Sequence, residues 1–221
     1  GIPDLKLEKW VIDRRMEQMS AEGVVFETEA AIGEDLSARY LRRKFDAVVL
    51  TMGAGQPRDL QVPGRGLEGI HFAMEYLPQS NQYVAGEVSH EDVIFARGKH
   101  VLVIGGGDTG SDCVGTANRQ GALSVTQLEI MPKPMEWNES WNPEWPNWPR
   151  IVRTSSSHAE GCERHWGVTT KRFTGYEVRV GEAVCAQVEW KKNAHGRMGP
   201  VEIPGTEFTL KADLVLLALG F

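Results

Sequence analysis

The clearest pattern of apolar and polar positions lies near the middle of the chain, where a continuous apolar run, His100–Ile104, leads directly into the glycine-rich turn 105–110. Such a run predicts a strand that is buried on both faces of a parallel sheet. Helical spacing follows over residues 108–120, and residues 124–130 predict a second strand. The pattern therefore predicts a strand–turn–helix–strand unit of about 30 residues, the size of one βαβ unit.

The first quarter of the chain alternates between helical and strand-like patterns. Helices are predicted over 7–22 and 35–44, and strands over 24–30 and 46–51. Two prolines and flanking glycines then make residues 56–63 a predicted linker between two domains.

The last two thirds of the chain add shorter elements. The pattern predicts short helices over 71–78, 91–96 and 155–165. It predicts strand-like runs, suggestive of an antiparallel meander, over 168–173, 184–190 and 201–210, and a buried closing strand over 213–219. The expected fold class is α/β: a Rossmann-like parallel sheet with helices on both faces, together with an antiparallel β-meander.

Residues 131–150 differ from the rest, because they contain four of the seven tryptophans and five of the eleven prolines. The tryptophan spacing resembles a helix face, but Pro143 and Pro146 would remove hydrogen-bond donors and clash inside a helix. We therefore predict an ordered, aromatic-rich loop.

Composition argues against several classes of binding partner and of metal or disulfide site. Of the 221 residues, 41% are hydrophobic, and the net charge is −6. A buried core is therefore expected, whereas nucleic acid and membrane surfaces are not expected partners. The cysteines Cys113, Cys162 and Cys185 lie far apart without a CxxC pair, which argues against a disulfide scaffold, a metal site or an iron–sulfur ligand set. With no signal or transit peptide pattern, a cytoplasmic location is expected.

The glycine-rich turn carries the main chemical signal. In the pattern G-x-G-x-x-G, the first glycine permits a tight turn, the second lets the backbone approach a pyrophosphate, and the third lets helix and strand pack closely. The helix N-terminus then offers N–H groups to the phosphates. We interpret Asp108 as a cap of this helix; a turn that binds no ligand is the alternative. The predicted cofactor-binding loop comprises Gly105, Gly106, Gly107, Asp108, Thr109 and Gly110.

Glu129 ends the second predicted strand, about 20 residues after the last motif glycine, where an acidic side chain accepts hydrogen bonds from the adenosine ribose. A 2′-phosphate would meet its carboxylate, so the sequence favours NADH over NADPH. Two alternatives stay open: Glu129 points into solvent, or Lys133 reaches a 2′-phosphate.

Several stretches together resemble the small (β) subunit of glutamate synthase, a family of flavoproteins with two dinucleotide-binding domains. The similarity covers nearly the whole chain and is clearest in residues 50–54, 105–113, 148–158 and 208–221. The resemblance implies that residues 1–55 are part of an FAD-binding domain of α/β type, that 56–63 are the linker, and that 64–221 are the NAD(P)H-binding domain.

The resemblance also assigns site residues. Thr51 and Gly53 match the family's turn near the flavin, and Arg150 and Arg153 lie on the cofactor side, where they meet either a phosphate or a surface carboxylate. Leu-Glu at the end of the second strand resembles NADH-type members, whereas members with Tyr-Arg-Arg there resemble the NADPH type. Because no first FAD glycine motif is present, FAD is expected in the full-length protein and not in this piece of it.

The reaction that the resemblance implies is hydride transfer from NAD(P)H to FAD, with electrons then passing through iron–sulfur clusters to the large (α) subunit for glutamate synthesis from glutamine and 2-oxoglutarate. No catalytic acid or base and no metal ligand is predicted in this chain, which alone is expected to be inactive. The alternatives are another NAD(P)H–FAD oxidoreductase subunit and a non-catalytic nucleotide-binding module. A methyltransferase using S-adenosylmethionine is disfavoured, because it would need an acid where Val103 and Ile104 stand.

Overall fold

The computed structural model describes residues 1–135, 146, 151–192 and 196–221. Their contacts divide the chain into two compact units, one formed by Leu7–Gln56 and the other by Gly1–Lys6 together with Pro57–Phe221. Most of the predicted aromatic loop over 131–150 lies outside the described residues, as does Arg150.

The smaller unit contains two helices, α1 (Lys9–Ala21) and α2 (Ala38–Lys44), close to their predicted positions. The Ser37 hydroxyl accepts the backbone N–H of Tyr40 at 3.1 Å and so caps the start of α2.

The two strands predicted in the smaller unit, over 24–30 and 46–51, are wrong. Neither segment is in a sheet, and Val25 and Val49 are 78% and 82% exposed. A strand needs a neighbouring strand for its backbone hydrogen bonds. None of the described residues supplies one, so strong β-propensity alone does not produce a strand here.

The described part of the larger unit contains nine strands and three helices. The strands are β1 (Ile70–Phe72), β2 (His100–Ile104), β3 (Ser124–Glu129), β4 (Glu163–Trp166), β5 (Val168–Tyr176), β6 (Arg179–Lys192), β7 (Met198–Glu202), β8 (Phe208–Lys211) and β9 (Leu214–Leu217). The helices are α3 (Ala73–Val84), α4 (Asp108–Arg119) and α5 (Ser156–Ala159).

Five strands form a parallel sheet in the order β1-β9-β2-β3-β4. The other four are antiparallel, with β6 pairing with β5, β7 and β8. The predicted α/β class, with a parallel sheet and an antiparallel meander, is confirmed.

The two faces of the parallel sheet are covered differently. On one face, Val103 and Leu216 pack against α3 and α4, with Tyr76 and Val114 fully buried. On the other face, residues such as Leu102 and Leu217 pack against side chains of the antiparallel strands. The expectation of helices on both faces is corrected, because the meander covers the second face. Burial on both sides still explains the continuous apolar runs.

Several element boundaries differ from prediction. Helix α3 continues through Pro78 to Val84, since Tyr76, Leu77 and Ser80 are buried on one of its faces and their packing offsets the hydrogen bond that proline removes. The helix predicted over 91–96 is only a 3-10 turn, His90–Asp92.

The helix predicted over 155–165 is also shorter. It ends at Ala159, Gly161 follows at φ +134°, and β4 then begins at Glu163 and pairs with β3. Among the described residues, no helix has the length and apolarity needed to cross a lipid bilayer.

Candidate dinucleotide-binding site

The glycine-rich loop connects β2 to α4 at the carboxyl end of the parallel strands, where ligands bind in open α/β sheets. Gly105 has a φ of +125°, and its N–H donates to the Leu128 carbonyl at 2.8 Å. A side chain on Gly105 would collide with the carbonyl of Ala218, and one on Gly110 would collide with the carbonyl of Gly105. The first and third motif glycines are therefore required by the packing of the loop.

Gly107 is different, because a Cβ built on it would meet no heavy atom within 4 Å. Its missing side chain leaves open space beside the backbone at the start of α4, where a pyrophosphate can approach. Gly107 is itself the N-cap of α4, and no side chain caps the helix. The interpretation of Asp108 as the cap is wrong: it is the first helical residue and is exposed. The backbone N–H groups of this turn stay open to a ligand.

Two cavities meet at the loop. The first, of about 320 Å³, is lined by the loop from Gly105 to Thr109, by Glu129 at the end of β3, by Val168, Thr169 and Thr170 of β5, and by Ala218, Leu219 and Gly220. The second, of about 220 Å³, includes Gln127, Arg153, Arg164, His165 and Trp166. Gly106 and Glu129 line both cavities. The glycine-rich loop therefore borders two adjacent cavities.

The Glu129 side chain lies over the loop. One carboxylate oxygen accepts the backbone N–H of Met131 at 2.9 Å, and the other occupies the space that a Cβ on Gly106 would fill. Glu129 therefore does not point freely into solvent, as one alternative held. Its second oxygen is directed to the edge shared by the two cavities.

Cationic and aromatic side chains line the second cavity. The Arg164 guanidinium donates to the Arg153 carbonyl at 3.0 Å and lies 4.8 Å from the centre of the Trp166 ring. The Lys133 ammonium lies 5.5 Å from the same ring. The sequence predicts Arg153 here but not Arg164, which falls in the helix predicted over 155–165, nor Trp166, which falls in no predicted element. The sequence feature that favours strand β4 is the pair of aromatic side chains, His165 and Trp166, directly before Gly167.

Thr51 and Gly53, which the resemblance places near a flavin, belong to the smaller unit. Both are exposed, Gly53 has a φ of +65°, and a Cβ on it would meet no heavy atom within 4 Å. The described residues of the smaller unit do not form an enclosed site around them. Their role beside a flavin stays a prediction.

Comparison with known proteins decides the family. The sequence profile described as pyridine nucleotide-disulphide oxidoreductase matches residues 11–221. The chain belongs to this family. Its fold agrees: FprA of Mycobacterium tuberculosis in complex with NADPH superimposes with a TM-score of 0.65 at 14% identity, over all of this chain and 60% of that one.

Relatives with higher identity are glutamate synthases. The "Glutamate synthase [NADPH] small chain" of Mycobacterium tuberculosis (strain ATCC 25618 / H37Rv) is 47% identical over 225 residues, which cover all of this chain and 45% of that protein. "Glutamate synthase [NADH]" of Saccharomyces cerevisiae is 40% identical over 232 residues, which cover all of this chain and 11% of that protein. The chain thus spans less than half the length of these relatives.

The cysteines of this family member do not form a redox disulfide within the chain. All three are described and are free thiols. Burial raises the pKa of all three thiols, to about 11 for Cys162 and Cys185. The thiols are therefore protonated at neutral pH. Within the described ranges, no cluster of three or more His, Cys, Asp or Glu side chains is placed to hold a metal ion.

Proposed function

We propose that this chain is the NAD(P)H-binding portion of a glutamate synthase small subunit. The observation that carries the proposal is the loop itself: Gly107 leaves its backbone bare at the start of α4, and Glu129 stands where the two cavities meet. Homology to glutamate synthase small chains along the whole chain supports the assignment.

In this proposal the chain's own residues bind and orient the nucleotide. The N–H groups of the loop and of the first turn of α4 bind the pyrophosphate, and the Glu129 carboxylate accepts the ribose hydroxyls. The first cavity, between the loop and β5, holds the nicotinamide half. When bound, the nicotinamide supplies the hydride. No residue of the chain needs to act as an acid or base for that transfer.

The domain assignment is part of the proposal. Residues 64–221 are the NAD(P)H-binding domain, 56–63 the linker and 1–55 part of an FAD-binding domain, with Thr51 and Gly53 near the flavin. The whole protein then passes electrons through FAD and iron–sulfur clusters to a large subunit in the cytoplasm, where glutamine and 2-oxoglutarate yield glutamate. The names of the relatives support the partner and the product.

For the nucleotide we propose a preference for NADH. The Glu129 carboxylate is held by the Met131 N–H and cannot move far from the place of a 2′-phosphate, which it would repel. A second candidate is NADPH, which Arg153 and Arg164 favour because they line the same cavity and can pair with a phosphate.

The proposal is tested in the full-length protein with its large subunit. Oxidation of NADH should require both glutamine and 2-oxoglutarate, and Gly107→Val should abolish that oxidation without lowering the flavin content. Oxidation of NADH that ignores both substrates would reject the glutamate synthase assignment. Loss of flavin in the variant would contradict the separation of the two nucleotide sites.

A further inference from the structure

Gln127 is a buried polar side chain directly beneath the glycine loop. It is 2% exposed, and burial of an amide is unfavourable unless both its ends are hydrogen-bonded. Its amide nitrogen donates to the Gly105 carbonyl at 2.9 Å, and its amide oxygen lies 2.9 Å from Nε2 of His158. Since a carbonyl only accepts, the nitrogen must face Gly105, and the amide orientation is fixed.

The orientation of Gln127 fixes the tautomer of His158. Nε2 faces an amide oxygen and therefore carries the proton. Nδ1 is then the acceptor, and it accepts from the Ser155 backbone N–H at 3.1 Å and lies 3.0 Å from the Ser155 hydroxyl. Burial, with Arg164 and Lys6 nearby, lowers the pKa of His158 to about 4, so this neutral tautomer persists at neutral pH.

The hydrogen bonds from Gly105 through Gln127 to His158 form a path that continues away from the loop. The Ser155 hydroxyl lies 2.6 Å from that of Ser111, to which the Lys6 ammonium donates at 3.0 Å. Lys6 also pairs with Asp112 at 2.7 Å. The ammonium only donates, so Ser111 accepts from Lys6 and its own proton is free to face Ser155, whose hydroxyl proton can in turn face His158. Every hydrogen bond from Lys6 to Gly105 can thus run in one direction.

The hydrogen bond from Gln127 sets the direction of the peptide group between Gly105 and Gly106. In a trans peptide the carbonyl and the next N–H point in opposite directions. The Gly105 carbonyl points inward to Gln127, so the Gly106 N–H points away from Gln127. That N–H has no acceptor among the described residues, and Gly106 lines both cavities. Gly110 must lack a side chain because a Cβ there would strike both the Gly105 carbonyl and the Gln127 amide.

We infer that Gln127, oriented by His158, is a positioning residue: it holds the Gly105 carbonyl inward and thereby presents the Gly106 N–H to the pyrophosphate of the nucleotide. This inference rests on the proposed function, since it requires the dinucleotide to bind at this loop. Without Gln127, the 105–106 peptide loses its partner and can turn its carbonyl to the anion.

The test separates pyrophosphate contacts from the rest of the site. Dissociation constants are measured by calorimetry for ADP-ribose, which contains the pyrophosphate, and for adenosine, which does not. Gln127→Leu should weaken ADP-ribose binding roughly tenfold, as expected for one lost hydrogen bond and a misdirected N–H. It should weaken adenosine binding by a clearly smaller factor, because Gln127 lines the second cavity but adenosine lacks the pyrophosphate that the Gly106 N–H would meet.

Further variants accompany Gln127→Leu in this test. Gln127→Glu has nearly the same shape and still accepts from His158, but as a carboxylate it cannot donate to Gly105, so it should also weaken ADP-ribose binding. His158→Gln retains a donor and should be milder than His158→Leu. Asn118→Leu is the control. It removes hydrogen bonds from α4 to the carbonyls of Ser157 and Gly161, which are not part of the path from Lys6 to Gly105.

If His158 acts only through Gln127, His158→Leu should have no further effect on ADP-ribose binding in a Gln127→Leu background. Equal losses for ADP-ribose and adenosine, or additive effects of the two substitutions, would overturn the inference. If the Leu variants fail to melt cooperatively, Gln127→Met, which is neutral and also lacks a donor for the Gly105 carbonyl, decides in their place. Failure of the unmodified protein to bind ADP-ribose or NADH would instead overturn the proposed function, and this inference with it.

Discussion

The carboxylate of Glu129 lies against the backbone of Gly106, at the point where the two cavities of the larger unit meet. One of its oxygens is fixed by the Met131 N–H at 2.9 Å, which leaves the other directed to the loop. The loop and the acid that the proposed function assigns to the phosphates and to the ribose thus come from the ends of two neighbouring parallel strands, β2 and β3.

The open position at Gly107 gives the first prediction. Gly107→Val adds a side chain where the structure has free space, so the fold should tolerate it, but the side chain would occupy the place of the pyrophosphate. We expect NADH affinity to fall by more than about tenfold while the melting temperature changes by only a few degrees.

Gly199→Val is the matched control, because Gly199 in β7 also has no heavy atom within 4 Å of a built Cβ and lines none of the cavities described above. It should leave NADH affinity unchanged. Equal affinities for the unmodified protein and Gly107→Val would show that no phosphate approaches Gly107.

The role of Glu129 gives the second prediction. Glu129→Arg removes the acceptor for the ribose hydroxyls and adds a guanidinium that pairs with a 2′-phosphate. The ratio of NADH to NADPH affinity should fall by at least about tenfold, measured by parallel titrations. Glu87→Arg produces the same change in net charge on an exposed residue outside the described cavities and should leave the ratio as it was. An unchanged ratio in Glu129→Arg would mean that residue 129 does not touch the ribose.

The pKa of His158 gives a prediction for stability. Its folded-state pKa is lowered to about 4 from an ordinary value of 6.5, so below pH 6.5 the unfolded chain binds a proton that the folded chain rejects. The stability that neutral His158 contributes is complete above pH 6.5 and is lost as the pH falls from 6.5 to about 4.

Melting temperatures at pH 7 and pH 4.5 measure this loss. His158→Gln should lose less stability over this range than the unmodified protein, because glutamine does not titrate. The pKa of His71 is also lowered by burial, but His71 is present in both proteins and cancels in the comparison. The same loss of stability in both proteins would show that His158 is not held neutral.

Local sequence pattern was enough to predict the elements that carry the candidate site. The apolar run of β2, the glycine loop and Glu129 depend on local spacing and on burial on both faces, and each lies where it was predicted. The pattern missed what depends on partners distant in sequence. Arg164 and Trp166 line the second cavity only because β4 pairs with β3, and Gln127 bonds Gly105 only because the loop folds back over β3.

In the smaller unit, local pattern predicts two strands that do not form. Residues 24–30 and 46–51 have strand composition, but β-propensity describes how side chains fit a pleated surface, and in the described chain they have no neighbouring strand. Likewise, Asp108 has the residue type of a cap but stands one position too far along α4 to act as one.

Binding of a nicotinamide dinucleotide at the loop is tested by titrating the chain with NADH and with NADPH. The titration is followed through the fluorescence of the tryptophans, of which Trp166 lines the second cavity. We expect saturable quenching by both nucleotides, with tighter binding of NADH. Quenching by neither nucleotide would contradict the assignment of the loop as a dinucleotide site. Tighter binding of NADPH would contradict the role given to Glu129 and favour Arg153 and Arg164 as ligands of a 2′-phosphate.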